Sequence, residues 1–116
     1  RPEQLRRLMP LVKVFALRSV KPLPVASIQA SLCSVWQTKP NTTKVIVNIV
    51  DDWTDSGEDV FVDVRAKSTV DRTHDAIMEK MHEVQEVFSA HGYKANVRLE
   101  TYDAGSYFHL LPPRSQ

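Results

Sequence analysis

Residues 11–17, LVKVFAL, form a β-branched, apolar run that predicts a strand ending at RSVKPLP. Pro22 and Pro24 stop any helix there and suit a loop that leads into a helix start. Val25, Ile28, Leu32, Val35 and Trp36 then recur at spacings of three and four, or sit beside one another, as one apolar helix stripe. This helix is expected to end near Gln37, because Pro40 restricts the residue before it. Residues 44–50, KVIVNIV, are almost continuously apolar and predict a strand covered on both faces. DDWTDSGED follows as a polar turn containing Gly57. VFVDVRAK, 60–67, sets Val60, Val62 and Val64 on one strand face and Phe61, Asp63 and Arg65 on the other.

STVDRTHDAIMEKMHEVQEVFSAHGY predicts a second helix, with Ile77, Met81, Val84, Phe88 and His91 as its buried stripe. Ser68 or Thr69 is the expected N-cap, and Gly92 the C-terminal stop. ANVRLETYD, 95–103, predicts the last long strand, and SYFHLL a short one before Pro112 and Pro113. The domain is expected to span 10–110, between a basic extension at 1–9 and a tail at 111–116.

The order is β-α-β-β-α-β in an α/β domain, and each half can be a right-handed crossover unit. Two architectures place two helices on one face of a four-stranded sheet. One is the ferredoxin-like sandwich; the other relates two βαβ units by a pseudo-twofold axis. Strand order separates them, and the pattern of residues does not supply it.

Composition narrows the function classes. A chain of 116 residues, 42% hydrophobic and 25% charged, fits one ordinary globular domain. No apolar run approaches a membrane span. The single cysteine, Cys33, rules out an internal disulfide and a thiol zinc cluster, and is expected in the core. The net charge of +1 is unevenly spread. Arg1, Arg6, Arg7, Lys13, Arg18 and Lys21 face one acid, Glu3, in the first 22 residues. Asp51, Asp52, Asp55, Glu58, Asp59 and Asp63 have no base among them. The basic arm suits an acidic partner. An Arg-rich, acid-poor start also fits the neighbourhood of an organelle-targeting cleavage, so an intracellular, mitochondrial location after loss of a leader is the expectation.

Motifs for chemistry are sparse. Glu79 and His82 have carboxylate–histidine metal spacing, but no second pair accompanies them, so a solvated helix face is expected. His74 and His109 show no partner in the sequence, and there is no glycine-rich phosphate loop. No cofactor or metal is expected. RNA-binding sheets share this element order, but their third strand needs a base, a glycine and spaced aromatics, and only Phe61 is present among acids. Nucleic acid is therefore not an expected partner. Proline remains. A terminal secondary amine whose pKa is lowered toward neutrality is a competent base. An amide nitrogen inside a chain is not, because resonance withdraws its lone pair.

Four stretches resemble the tautomerase superfamily, in its macrophage-migration-inhibitory-factor-like branch: MPLVKVFAL, TKPNTTKVIVNIV, GEDVFVDVRAKSTVDR and VRLETYD. The likeness covers about residues 9–108. It implies the pseudo-twofold architecture, a homotrimer, and a catalytic proline exposed by loss of the methionine before it. Carried over, Pro10 is the base, and Lys39 meets the substrate carboxylate. Arg98 and Glu100 stand where the family's last strand carries a tyrosine and an asparagine. Arg98 can bind a carboxylate and Glu100 repels one, which departs from the usual aromatic keto-acid site. The residues ahead of Pro10 depart further, since they keep it an amide and must leave or fill the pocket. Two functions are expected from these readings. The first is a non-catalytic structural or assembly subunit of a protein complex. The second is a keto–enol tautomerase of small 2-keto or 2-hydroxy acids, provided the mature chain begins at Pro10.

Overall fold

The computed structural model describes residues 10–20, 22–38, 43–54, 57–110 and 112–113. The elements are β1 (Leu11–Leu17), α1 (Val25–Trp36), β2 (Lys44–Val50), β3 (Val60–Lys67), α2 (His74–Ala90) and β4 (Ala95–Tyr102), followed by a 3₁₀ turn at Ala104–Ser106. The sheet order is β2-β1-β3-β4. β1 runs parallel to β2 and β3 parallel to β4, while the central pair β1 and β3 is antiparallel. The two strands of each βαβ unit are thus direct neighbours. A ferredoxin-like sheet splits each unit with a strand from the other, so that alternative is excluded. An axis between β1 and β3 relates the halves.

Strand pleating divides the side chains between two faces. Val12, Val14 and Ala16 of β1 and Val60, Val62, Val64 and Ala66 of β3 lie under the helices and are fully or almost fully buried. Ile28, Leu32 and Cys33 of α1 and Val84 and Phe88 of α2 close the core over them. Valine predominates in the two central strands because β-branched side chains fit a pleated surface and fill a thin layer without strain. Full burial of a side chain such as Phe88 stabilises the domain by about 2–3 kcal/mol.

Both helices end in the same way. At the end of α1, the Thr38 N–H donates to Cys33 O (2.9 Å) and the Gln37 N–H to Ser34 O (3.2 Å), with Gln37 left-handed at φ 55°. At the end of α2, the Tyr93 N–H donates to Phe88 O (3.0 Å) and the Gly92 N–H to Ser89 O (2.9 Å), with Gly92 at φ 85°. These are paired Schellman closures, one built on glycine and one on glutamine. The Tyr93 hydroxyl also donates to Pro22 O at 2.9 Å, tying the end of one unit's helix to the loop before the other's.

Three expectations change. First, α2 is capped by Thr73, whose hydroxyl accepts from the Ala76 N–H, and not by Ser68 or Thr69. The Thr69 hydroxyl instead donates to Asp71, and the Arg72 N–H donates to Thr69 O, which spends 69–72 on a turn. Second, β2 is an edge strand covered by α1 on one face only, and Ile46, on the other face beside Lys13, is 36% exposed. Among the described residues no helix lies on the other face. Third, residues 106–110 form no strand. They follow the 3₁₀ turn as extended chain, with Phe108 and Leu110 exposed.

The acidic stretch is partly structural. Asp51 pairs with Arg18 at 2.9 Å. The Asp59 carboxylate accepts from the Lys94 N–H, and Glu58 from Asn96. The last two contacts pin the start of β3 to the start of β4. No helix among the described residues is long and apolar enough to cross a membrane.

Candidate functional site

Pro10 immediately precedes β1 and is fully buried. Extending the strand register back by one residue sets it between Thr43 on the β2 side and Ala66 on the β3 side, both fully buried. It belongs to the helix-facing set with Val12 and Val14. Thr43 is held on both sides. Its hydroxyl lies 3.1 Å from that of Thr38, and its carbonyl accepts from the Gln29 amide at 3.0 Å. With Met9 attached, the Pro10 nitrogen is a tertiary amide with no basic lone pair. Freed as a terminus in the same buried setting, it would be an amine whose charged form is penalised by desolvation, as a general base at neutral pH requires.

Arg98 lies elsewhere. It is on β4, opposite Asp63 of β3, which is itself opposite Lys13 of β1. All three belong to the open face of the sheet. The Arg98 guanidinium stands 5.4 Å from the centre of the Phe61 ring. Phe61 in turn lies 6.0 Å from Phe15, its cross-strand partner. Glu100 sits 4.0 Å from the Arg65 guanidinium, too far for a hydrogen bond but close enough to offset charge. One chain therefore does not bring Pro10 and Arg98 together. Lys39 lies outside the described residues.

A cavity of about 290 Å³ opens at the same end of the sheet, between the C-terminal end of α1 and the start of α2. Its floor includes Ala66, Leu99 and Thr101. Arg72 and Lys80 stand in its walls. The Arg72 guanidinium donates to Lys67 O and lies 5.5 Å from the centre of the Trp36 ring. Burial pushes its pKa down, with the Asp71 charge opposing. Lys80 Nζ donates to Val35 O at 2.7 Å, satisfying a carbonyl near the end of α1. The hydrogen bond from Thr69 holds the Asp71 carboxyl below its usual range. The indole N–H of Trp36 is buried and has no acceptor among the described residues.

Sequence reasoning placed Trp36 in an apolar stripe and assigned Arg72 and Lys80 no part. The helical pattern runs through Arg72, and the turn at 69–72 that aims it back at Trp36 has no distinctive residue signature. Glu79 and His82 are exposed along the outer groove between the helices, as a solvated face requires. His74 lies 3.5 Å from Asp75 at the exposed start of α2.

No protein-family model and no curated protein matches the chain. Solved structures do. A fused 4-OT described as an asymmetric trimer superposes with a TM-score of 0.65 at 8% identity, over 85% of this chain and 91% of its own. A malonate semialdehyde decarboxylase gives 0.63 at 10% identity, over 89% and 92%. A 5-carboxymethyl-2-hydroxymuconate isomerase from Deinococcus radiodurans R1 gives 0.54 at 15% identity, over 89% and 90%. At these identities the likeness concerns backbone architecture. With the strand order and the neighbouring strands of each βαβ unit, it establishes that the chain carries the tautomerase fold.

Proposed function

We propose that this chain is a non-catalytic tautomerase-fold subunit that works by assembly with other protein chains. The observation that carries the reading is Pro10, buried at the head of β1 and joined through an amide to Met9. A base with no lone pair cannot take a proton, whatever surrounds it. The open sheet face supplies the assembly surface. It carries Leu11, Phe15, Leu17, Ile46 and Phe61 around the Lys13–Asp63–Arg98 row, and none of the described helices lies on it. A second copy in a trimer, or a different subunit, fits the same surface. The basic residues ahead of Pro10 support an acidic partner.

The test is the N-terminal residue and the native mass of the protein isolated from its source. The proposal expects Met9 still attached and a complex larger than the chain's own homotrimer. A free homotrimer that begins at Pro10 would overturn it.

A second reading rests on the Met9–Pro10 junction, which lies directly ahead of β1, and on fold neighbours named as an isomerase and a decarboxylase. Processing to Pro10 would give a keto–enol tautomerase of small 2-keto or 2-hydroxy acids. Lys39 and a neighbouring copy's arginine at position 98 would then hold the substrate carboxylate. Failure of a Pro10-initiated chain to ketonise phenylpyruvate enol or 2-hydroxymuconate removes this reading.

A further inference from the structure

We propose that the outer groove between the two helices is the docking site of this chain's own basic segment, residues 1–9. The assignment rests on the reading that Met9 stays attached to Pro10, and it gives the basic residues ahead of Pro10 their acidic surface. The groove is open and about 650 Å³ in volume. Val35 of α1 and Val87 and Ala90 of α2 make its apolar floor, and both valines are only partly buried against the core. Glu79, Glu83 and Glu86 recur along α2 at spacings of four and three, so one helix face carries all three carboxylates to the rim. Among the described residues neither lysine nor arginine lines the groove, and its other titratable groups are His82 and His91. Glu83 lies 3.9 Å from Lys80 Nζ, which itself donates to Val35 O. Glu79 and Glu86 have no ion pair among the described residues.

The segment matches both parts of the groove. RPEQLRRLM carries Arg1, Arg6 and Arg7 against one acid, Glu3, with Leu5 and Leu8 flanking the arginine pair. Leucines and arginine stems cover an apolar floor while guanidinium heads meet carboxylates at the rim. Charge disfavours the nearer cavity at the end of α1, whose walls hold Arg72 and Lys80 against Asp71. Length also fits. Nine extended residues ahead of Pro10 span up to about 30 Å. A helix is about 10–12 Å thick, and Glu79 and Glu86 are about 10 Å apart along α2 at about 1.5 Å per residue. The segment can therefore pass around the end of α1, near which Pro10 lies, and set Arg6 and Arg7 by Glu79 and Arg1 by Glu86. Tethering at Pro10 supplies an effective concentration of about millimolar order, so rim pairs that are weak singly suffice together. Docked on the helix side, the segment leaves the open sheet face free for other chains.

The experiment uses the full chain with a nitroxide on Gln4→Cys, since Cys33 is buried and escapes labelling. Methyl NMR signals of Ile, Val and Ala are compared with the nitroxide oxidised and reduced. Val35, Val87 and Ala90 are expected to broaden. E79K with E86K should lower the docked fraction about tenfold, R6E with R7E should do the same, and the two pairs combined should restore it. Either pair carries the test if the other fails to fold. A second sample mixes nitroxide-bearing chain with isotope-labelled chain that lacks the nitroxide. Equal broadening there would assign the contact to a second copy and overturn docking within the chain. Absence of broadening in the groove, broadening centred on Ile46 of the open face, or broadening that survives both charge reversals would also overturn it. A failed result leaves the Met9–Pro10 junction untouched, because the N-terminal residue of the native protein is read separately. A native protein that begins at Pro10 leaves the result on the full chain untouched, so the two ideas fail separately.

Discussion

Pro10 and Arg98 occupy opposite faces of one sheet. Arg98 aligns through Asp63 with Lys13, three residues beyond Pro10. The separation is thus about 10 Å along the strands and about 10 Å across two strand spacings. A site that uses both residues must take them from different chains. Whatever activity a Pro10-initiated parent shows, P10G and R98A versions of it should each lose most of it. Co-refolding the two variants should then restore activity at about one quarter of the interfaces, the fraction expected from random mixing in a closed ring. Measuring ketonisation in the mixture decides this. No recovery would mean that the site is built within one chain.

The two helix ends make a natural comparison. Gln37 holds the left-handed position that Gly92 holds in the other half, and a side chain there costs about 1–2 kcal/mol relative to glycine. Glycine also loses more chain entropy on folding. Gln37→Gly is therefore expected to raise stability by up to about 1 kcal/mol in urea unfolding, and Gly92→Ala to lower it by about 1–2 kcal/mol. Equal effects of the same sign would show that the two closures are not equivalent.

Tyr93 supports the fold twice, through its buried ring and through the hydroxyl bond to Pro22 O. Tyr93→Phe should cost about 1 kcal/mol, the ordinary value of one intramolecular hydrogen bond. Phe88→Ala, which empties the centre of the α2 contact, should cost about 3–5 kcal/mol. A Tyr93→Phe variant as stable as the parent would show that the hydroxyl bond adds nothing beyond solvation by water.

Tyr102 predicts a pH effect. Burial raises its pKa, the neighbouring Tyr107 adds to the rise, and Arg72 and Arg65 oppose it. Its ring stacks on Tyr107 with centroids 4.4 Å apart. A raised tyrosine pKa means that the folded chain holds the proton more tightly than the unfolded one. The stabilisation is present below the ordinary tyrosine range and is lost as pH rises through the folded value. Unfolding midpoints should fall at alkaline pH, and Tyr102→Phe should flatten that fall. Ultraviolet titration of phenolate should show one late-titrating group that disappears in the variant. A profile unchanged by the substitution would assign the alkaline loss to another residue.

The element order and the core stripe were legible because burial on one face leaves a simple period. Val60, Val62 and Val64 alternate with polar or aromatic neighbours, and the buried set is the one the alternation names. The start of α2 was not legible, because hydroxyl residues precede it at 68, 69 and 73, and it is the bond from the Ala76 N–H to the Thr73 hydroxyl, with Thr69 turned to Asp71, that fixes the cap. The short strand at 106–110 fails for another reason. Apolar residues alone do not make a strand, which needs a partner edge, and the register of β4 ends at Tyr102. Candidate chemistry was partly legible. Pro10 stands out through the methionine before it. Arg72 and Lys80 meet in the cavity only after the turn at 69–72 and the end of α1 are both in place. Neither of those is written as a spacing.

The open face of the sheet leads to the last prediction. Phe15 and Phe61 are directly opposed on the central strands, and Arg98 lies over Phe61. Lys13, Asp63 and Arg98 form a row of alternating sign beside them. Edge β2 adds Ile46 to this face, with few charges to discourage pairing. Such a face gains about 25 cal/mol for each Å² of apolar surface that a neighbour covers. The isolated chain should therefore sediment as an oligomer at micromolar concentration. Phe61→Lys sets a cation beside Arg98 and should shift sedimentation to the monomer, while the circular dichroism of both helices persists. Ile46→Lys, at the edge, should weaken association less. If the unaltered chain sediments as a monomer, with the open face still accessible to solvent exchange, the surface serves a different protein and the homotrimer is excluded.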